Sequence, residues 1–158
     1  MRVGIGYDAH KLIPGKGMYL GGVFFECDYS VEAYSDGDVI IHALIDSLLG
    51  AAALGDIGSL FPSKDTENRD ISSTLLLNQV IDLLDSKNYK VINVDITLIT
   101  ETPKINEKAD QVINSLSKNL RVKKNCVSCK ATTTDGLGFE GEGKGIACQS
   151  ISLIEEKD

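Results

Sequence analysis

The chain alternates between strand-like and helix-like spacing of its hydrophobic residues. Apolar segments at residues 2–7 and 18–25, separated by the Pro14-Gly15 turn, predict two short strands. The polar segment 35–38 then offers N-cap side chains for a helix that runs to about residue 53. The first third of the chain therefore predicts two strands followed by a helix.

A second helix and a third strand are predicted further along. Asp70 is a suitable cap for this helix, and Asn88 is a suitable stop. The predicted apolar stripe of the helix comprises Ile71, Leu75, Val80, Leu83 and Leu84. Residues 91–99 alternate between apolar and polar positions, which is typical of a half-buried strand.

The last third predicts one helix and two closing strands. Asn106 is a suitable cap for the helix, and residues 127–133 and 146–154 have the composition of strands around a hairpin-like glycine-rich connection. The order β-β-α-α-β-α-β-β favours an α+β fold with one sheet and helices on one face. The other face of so small a sheet needs a partner, so we expect an oligomer.

Composition restricts the function classes. The 158 residues are enough for a single domain, which we expect to span residues 1–158. Sixteen basic against 23 acidic residues give a net charge of −7, which argues against nucleic acid as a partner. Neither a leader peptide nor an apolar segment long enough to cross a bilayer is recognisable, so no membrane association is expected. Four scattered cysteines fit a reducing, cytoplasmic setting.

Both histidines of the chain lie in positions that suggest metal binding. Asp8 and His10 are two residues apart on a predicted strand, so their side chains leave the same face. His42 lies one turn into the first helix, and Asp46, four residues on, could accept a hydrogen bond from its ring. Two imidazoles and a carboxylate with an open fourth position suit catalytic zinc. Unrelated surface or core residues remain an alternative explanation of this spacing.

The residues in and before the glycine-rich connection give a weaker indication of phosphate binding. Gly136 to Gly141 satisfies the G-x-G-x-x-G pattern, but a strand rather than a helix is expected after it, which excludes a dinucleotide fingerprint. The run Thr132-Thr133-Thr134-Asp135 has hydroxyl groups suited to phosphate oxygens and a carboxylate suited to Mg²⁺. An ordinary strand followed by a turn explains these residues equally well.

Many ordered blocks of the chain together resemble one enzyme family. They read Gly6-Tyr7-Asp8-Ala9-His10, Ser35-Asp36-Gly37-Asp38, His42-Ala43-Leu44, Gly55-Asp56-Ile57-Gly58, Phe61-Pro62, Pro103-Lys104, Lys130-Ala131-Thr132-Thr133-Thr134 and Leu137-Gly138-Phe139. This pattern is similar to that of the 2-C-methyl-D-erythritol 2,4-cyclodiphosphate synthases of the non-mevalonate isoprenoid pathway. The resemblance covers nearly the whole chain.

The resemblance implies a ferredoxin-like protomer in a homotrimer with active sites at the subunit interfaces. It implies one zinc ion per protomer on Asp8, His10 and His42, and a substrate-bridging Mg²⁺ or Mn²⁺ at Asp135. Tyr34 and Thr133 take the catalytic positions. The implied contacts to the nucleotide-diphosphate substrate are Asp8, His10, Tyr34, Ser35, Asp56, Ile57, Gly58, Phe61, Pro62, Ser63, Lys64, Asp65, Thr100, Glu101, Thr102, Pro103, Lys104, Ile105, Asn106, Thr132, Thr133, Thr134, Asp135, Phe139 and Glu142.

The sequence departs from the family pattern at four places. Tyr34 replaces a histidine, Ser63 replaces an acidic residue, and Asp135 replaces a glutamate. Glu142 and Lys144 invert the usual order of an arginine and a glutamate; that arginine lies near the trimer axis in the family and can meet an isoprenoid diphosphate. Two alternative functions stay open at this point. One is a noncatalytic diphosphate-binding trimer, and the other is a zinc phosphohydrolase that uses water as nucleophile.

Overall fold

The computed structural model describes residues 1–62 and 71–157 and has a mixed α+β fold. The strands are β1 (Arg2–Pro14), β2 (Met18–Leu20), β3 (Val23–Phe25), β4 (Tyr29–Glu32), β5 (Tyr89–Ile99), β6 (Val127–Thr132) and β7 (Gly145–Glu156). The α-helices are α1 (Val39–Ala52), α2 (Ile57–Leu60), α3 (Ser73–Ser86), α4 (Ala109–Leu120) and α5 (Gly138–Gly141). None of the helices in these ranges is long and apolar enough to cross a membrane.

The main sheet has five strands in the order β4-β1-β7-β5-β6, and β2 and β3 form a separate two-stranded hairpin. Strands β5 and β6 are parallel, because α4 carries the chain back between them. Without the edge strand β4, and with α1 and α3 counted as one helical segment, the long elements follow the order β-α-β-α-β-β, and the sheet contains one parallel pair. This corrects the expectation of a ferredoxin-like protomer, whose elements follow the order β-α-β-β-α-β.

The glycine-rich connection between β6 and β7 is not the hairpin that the sequence suggested. Strand β7 pairs with β1 and with β5, and β5 lies between β7 and β6. The connection must therefore cross β5 to lead from β6 to β7. It contains the single turn of α5 and no long helix. The correction follows from pairing between distant strands, which a local pattern does not contain.

Several predicted boundaries also shift. Strand β1 continues past residue 7 to Pro14, and the predicted strand at 18–25 divides into β2 and β3. Leu75 is exposed, because the buried face of α3 is formed instead by Leu76, Leu77, Val80, Ile81 and Leu84. Asn106 lies within a 3₁₀ turn at Ile105–Lys108 that precedes α4, so it does not cap that helix. The proposed cap Asp70 lies outside the described residues.

Helix α1 is the central element of the core, and a buried carboxylate fixes where it begins. Twelve of its 14 residues are buried. Asp38 is fully buried at the N-cap and accepts hydrogen bonds from the backbone N–H groups of Ile41 at 3.1 Å, Gly21 at 2.8 Å and Gly22 at 2.7 Å. Burial raises the pKa of this carboxyl group, against the lowering effect of those N–H groups. Asp38 thus ties the start of α1 to the β2–β3 hairpin.

Two glycines of β1 let α1 lie directly on the strand. A Cβ atom at Gly4 would lie 2.0 Å from the Ser47 carbonyl oxygen, and one at Gly6 would lie 1.9 Å from the Ala43 carbonyl oxygen. No side chain fits in either place, so only glycine permits this separation of strand and helix. The close approach determines which residues of α1 face the neighbouring positions of β1.

Candidate functional site

Asp8, His10 and His42 form a compact group at the contact between β1 and α1. The His10 Nε2 atom is 2.9 Å from Asp8 Oδ2, and the His42 Nδ1 atom is 3.1 Å from the same oxygen. The two ring nitrogens are 3.2 Å apart. Within residues 1–62 and 71–157, this is the one cluster of three side chains whose donor atoms could hold a metal ion. The structure thus brings together the three residues that the sequence analysis singled out.

The secondary structure explains why these side chains converge. Gly4 and Gly6 face α1, so the alternation of a strand places Asp8 and His10 on the same face. The backbone N–H of His42 bonds to the Asp38 carbonyl oxygen at 3.0 Å, which fixes the histidine one turn into the helix. The helix approaches β1 closely enough for its ring to reach both strand residues.

Charge and burial act against each other in this cluster. Burial alone would raise the pKa of Asp8, but its hydrogen bonds to His10 and His42 and their charges lower it well below its usual value. Burial alone would lower the pKa of His42, but the hydrogen bond and charge of Asp8 outweigh burial and raise it. A cation is therefore favoured beside Asp8, whether it is a proton on imidazole or a metal ion.

The donor set fits a divalent metal. Neighbouring ligand atoms in a tetrahedral zinc site with bonds of about 2.0–2.1 Å lie about 3.3 Å apart, and the three separations here are 2.9, 3.1 and 3.2 Å. Two imidazole nitrogens and one carboxylate oxygen also leave a fourth position open, as in catalytic zinc sites.

Asp46 does not support His42 as the sequence suggested. Its carboxylate accepts a hydrogen bond from the Ile57 N–H at 2.8 Å and so holds the start of α2. The Nε2 atom of His42 lies instead 2.9 Å from the Ser73 hydroxyl and 3.2 Å from the Ser35 hydroxyl. Ser73 is 31 residues away in sequence, and no local pattern indicated it.

A pocket of about 190 Å³ opens beside the histidines. It is lined by His10, Ala33, Tyr34, Ser35, His42, Ile57, Gly58, Phe61, Ile71 and Leu76. Asp56 caps the short helix α2 at its edge through the Ser59 N–H, and Pro62 follows Phe61 at the end of this segment. Ala33, Ile71 and Leu76 were not anticipated, since apolar residues carry no chemical signal. The candidate contacts Ser63, Lys64 and Asp65 lie outside the described residues.

A second pocket, of about 210 Å³, lies where β5 and β6 end. It is lined by Thr100, Pro103, Lys104, Ile105, Asn106, Ala131, Thr132 and Thr133. The Thr100 hydroxyl bonds to the Thr102 carbonyl oxygen at 2.6 Å, and the Thr100 N–H bonds to the Thr132 carbonyl oxygen at 3.1 Å. Glu101 has one buried carboxylate oxygen without a hydrogen-bond partner among the described residues, and it is not part of the lining.

The strand register separates the second pocket from the histidine cluster of the same chain. Asp8 lies opposite Cys148, Cys148 lies opposite Leu98, and Leu98 lies opposite Ala131. Three strand spacings of about 4.8 Å put the backbones of Asp8 and Ala131 about 14 Å apart. The fully buried side chains of Cys148 and Leu98 lie between them, so one chain does not merge the two pockets.

The glycine-rich connection contributes the remaining candidates. Thr134 and Asp135 follow β6, and Asp135 is exposed with a positive φ of 56°. Phe139 borders a third pocket that it shares with His10. The Glu142 carboxylate forms an exposed ion pair with the Lys144 ammonium at 2.5 Å within the same chain.

Replacement of both histidines of the cluster should abolish metal binding and leave the fold intact. We expect the His10→Ala/His42→Ala double variant to retain no stoichiometric divalent metal, because only one carboxylate of the ligand set remains. Its far-UV circular dichroism should match that of the unchanged chain, because both rings border the pocket rather than fill the core. Elemental analysis of both purified proteins is the measurement, and stoichiometric zinc in the double variant would contradict the assignment.

Comparison with known proteins shows the family to which the chain belongs. Residues 1–155 match the YgbB family. A 2-C-methyl-D-erythritol 2,4-cyclodiphosphate synthase from Clostridium novyi (strain NT) is 48% identical over 157 residues, which cover 99% of this chain and 100% of the relative.

Solved structures give the same result. IspF from Plasmodium falciparum in its CDP complex aligns with a TM-score of 0.87 and 37% identity, covering 99% of this chain and 97% of that one. The bifunctional IspDF from Campylobacter jejuni aligns with a TM-score of 0.95 and 34% identity, covering 99% of this chain and 42% of the longer protein. The chain therefore belongs to the YgbB family of 2-C-methyl-D-erythritol 2,4-cyclodiphosphate synthases, enzymes of the non-mevalonate isoprenoid pathway.

Proposed function

We propose that Asp8, His10 and His42 hold one zinc ion per protomer, and that this site serves the family reaction. That reaction cyclises 4-diphosphocytidyl-2-C-methyl-D-erythritol 2-phosphate to the 2,4-cyclodiphosphate and releases CMP. The observation that carries the proposal is the convergence of three donor atoms within 2.9–3.2 Å of one another beside an open pocket. The whole chain acts as one synthase domain, and its four free cysteines support a reducing, cytoplasmic setting.

The reaction needs alignment more than it needs a strong base. The nucleophile is an oxygen of the 2-phosphate, whose second pKa of about 6 leaves it largely ionised at neutral pH. The barrier lies in bringing this anion onto the β-phosphorus of another anion. When bound, zinc would supply Lewis acidity and positive charge at the β-phosphate. The residues of the chain must then orient both phosphates and hold them together.

The nucleotide end of the substrate belongs in the second pocket. Lys104 offers a cation there, and Thr132 and Thr133 offer hydroxyl groups for phosphate oxygens. Thr133 would donate a hydrogen bond where negative charge develops. Asp135 belongs to no cluster of three metal-binding side chains among the described residues, so substrate oxygens would complete the coordination of a Mg²⁺ or Mn²⁺ ion there.

The two pockets would meet between subunits of a homotrimer. Their separation within one chain by buried core residues supports this arrangement. The free face of the sheet supports it as well. Val3, Ile5 and Tyr7 point away from α1 and are exposed, and Ile151 lies directly opposite Ile5 on the same face. Burial of these side chains against other copies would remove an apolar patch from water.

Phosphorus NMR separates the proposed reaction from its alternatives. Incubation of the chain with 4-diphosphocytidyl-2-C-methyl-D-erythritol 2-phosphate, zinc and Mg²⁺ should give the resonances of a cyclic diphosphate together with CMP. Linear phosphate products would instead indicate a hydrolase that uses water as nucleophile. Unchanged substrate would indicate a noncatalytic diphosphate-binding protein and would contradict the proposal.

Tyr34 provides a test of whether the reaction proceeds without proton transfer by a side chain at this position. It lines the pocket beside His10 and His42, and we propose that its hydroxyl orients a phosphate. Phenols in model peptides ionise with a pKa of about 10 and imidazoles with a pKa of about 6.5. Tyr34→His should therefore remain active and add the ionisation of an imidazole at this position to the dependence of kcat on pH. Tyr34→Phe should lose on the order of 1–3 kcal/mol of transition-state stabilisation, the cost of an unsatisfied polar partner.

The measurement is kcat against pH for the three proteins. A Tyr34→Phe variant that matches the unchanged chain throughout would show that Tyr34 only packs. A nearly inactive chain that Tyr34→His restores by several powers of ten would show that proton transfer is needed, and it would favour the noncatalytic alternative.

A further inference from the structure

We propose that Ser73, held by Asp36, is a positioning residue that fixes the tautomer and orientation of His42, so that the Nδ1 lone pair points at the metal site. The inference rests on the proposed metal site and adds the group that prepares one of its ligands. The side-chain hydrogen bonds of Ser73 among the described residues go to His42 and Asp36 and not to Asp8 or His10. It acts through His42 alone.

The contacts form a continuous buried chain. The Ser73 hydroxyl is fully buried and lies 2.9 Å from His42 Nε2, on the side of the ring away from Asp8 and His10. The same hydroxyl donates a hydrogen bond to Asp36 Oδ1, and the Ser73 backbone N–H donates to Asp36 Oδ2 at 2.9 Å. Asp36 therefore holds both the hydroxyl and the backbone N–H of Ser73 at the first turn of α3.

The direction of each hydrogen bond follows from counting protons. Asp36 Oδ1 also accepts a hydrogen bond from the Asp38 N–H at 3.2 Å. The Asp36 carboxylate is thus the acceptor in each of these three hydrogen bonds. A serine hydroxyl has one proton to donate and lone pairs to accept with. Because that proton is directed at Asp36, Ser73 must accept from His42, and the ring proton must lie on Nε2. The Nδ1 atom then presents its lone pair to the metal.

This arrangement opposes a competing one. Asp8 Oδ2 lies 3.1 Å from His42 Nδ1 and would accept a proton from that nitrogen. A ring protonated at Nδ1 cannot coordinate a metal through it. Ser73 favours the opposite tautomer because it can accept from Nε2 without giving up its bond to Asp36. Ser35 also lies near Nε2, but at 3.2 Å, and its side chain borders the open pocket.

The experiment compares Ser73→Ala with Ser72→Ala, using metal ions alone as the probe. Ser72 is the N-cap residue of α3, and its hydroxyl bonds to the Thr74 hydroxyl, so its loss reports any general disturbance of the helix start. Zinc affinity is measured by competition with a chromophoric chelator, and the ligand field is followed by the visible absorption of bound Co²⁺. Thermal unfolding of each protein is recorded in parallel.

We expect Ser73→Ala to weaken zinc binding about 10–100-fold, the range found when a partner behind a metal ligand is lost, and to change the Co²⁺ spectrum. Ser72→Ala should keep the affinity and spectrum of the unchanged chain, and Ser73→Thr, which retains a hydroxyl, should recover most of the affinity. Equal affinity and spectrum in Ser73→Ala and the unchanged chain would overturn the role of Ser73. An unchanged chain that binds neither ion would overturn the metal site itself.

A second measurement does not depend on the folding of a variant. Nitrogen-15 chemical shifts of His42 in the zinc-loaded, unchanged chain should show a protonated Nε2 and a metal-bound Nδ1. Coordination through Nε2 would overturn the proposal.

Discussion

The contact between helix α1 and strand β1 is the constraint on which the rest of the structure depends. Gly4 and Gly6 leave no side chain between the two backbones, and carbonyl oxygens of α1 occupy the space that Cβ atoms would fill. Ser47 lies on the side of α1 that faces the sheet. Its buried hydroxyl donates to the Leu44 carbonyl oxygen and lies 3.2 Å from the Ser150 hydroxyl of β7. The helix is thus fixed against two strands by close packing and by buried polar contacts.

The functional site follows from that contact. Asp8 and His10 continue the face of β1 on which the glycines lie, and His42 is close enough to share one centre with them. Asp38 fixes the start of the helix, and Ser73 and Asp36 hold the far side of the imidazole ring. A chain with a net charge of −7 would otherwise repel an anionic substrate. A cation bound at this contact would supply the local positive charge that attracts the substrate phosphates.

Much of this could be predicted where the signal is local. The cap side chains of segment 35–38 and the apolar run after them predicted α1 nearly to its ends, and the spacing of Asp8 and His10 predicted a shared face. The predicted hydrogen bond between Asp46 and the His42 ring was wrong. The carboxylate of Asp46 accepts instead from the Ile57 N–H of α2, a contact that the spacing from His42 does not indicate. Ser73 was missed for the complementary reason, since its contact with His42 depends on how α3 packs against α1. The path of the glycine-rich connection likewise depends on which strands β7 pairs with.

The most direct test of the central claim measures zinc affinity in Gly6→Ala and Gly50→Ala. A methyl group at Gly6 must displace α1 from β1, whereas one at Gly50, on the same helix, meets only the Ile5 carbonyl oxygen at 3.9 Å. Competition with a chromophoric chelator, at a temperature where both variants are folded, should show zinc binding weakened by about tenfold or more in Gly6→Ala and unchanged in Gly50→Ala. A folded Gly6→Ala variant that binds zinc as tightly as the unchanged chain would contradict the claim that this close contact positions the site.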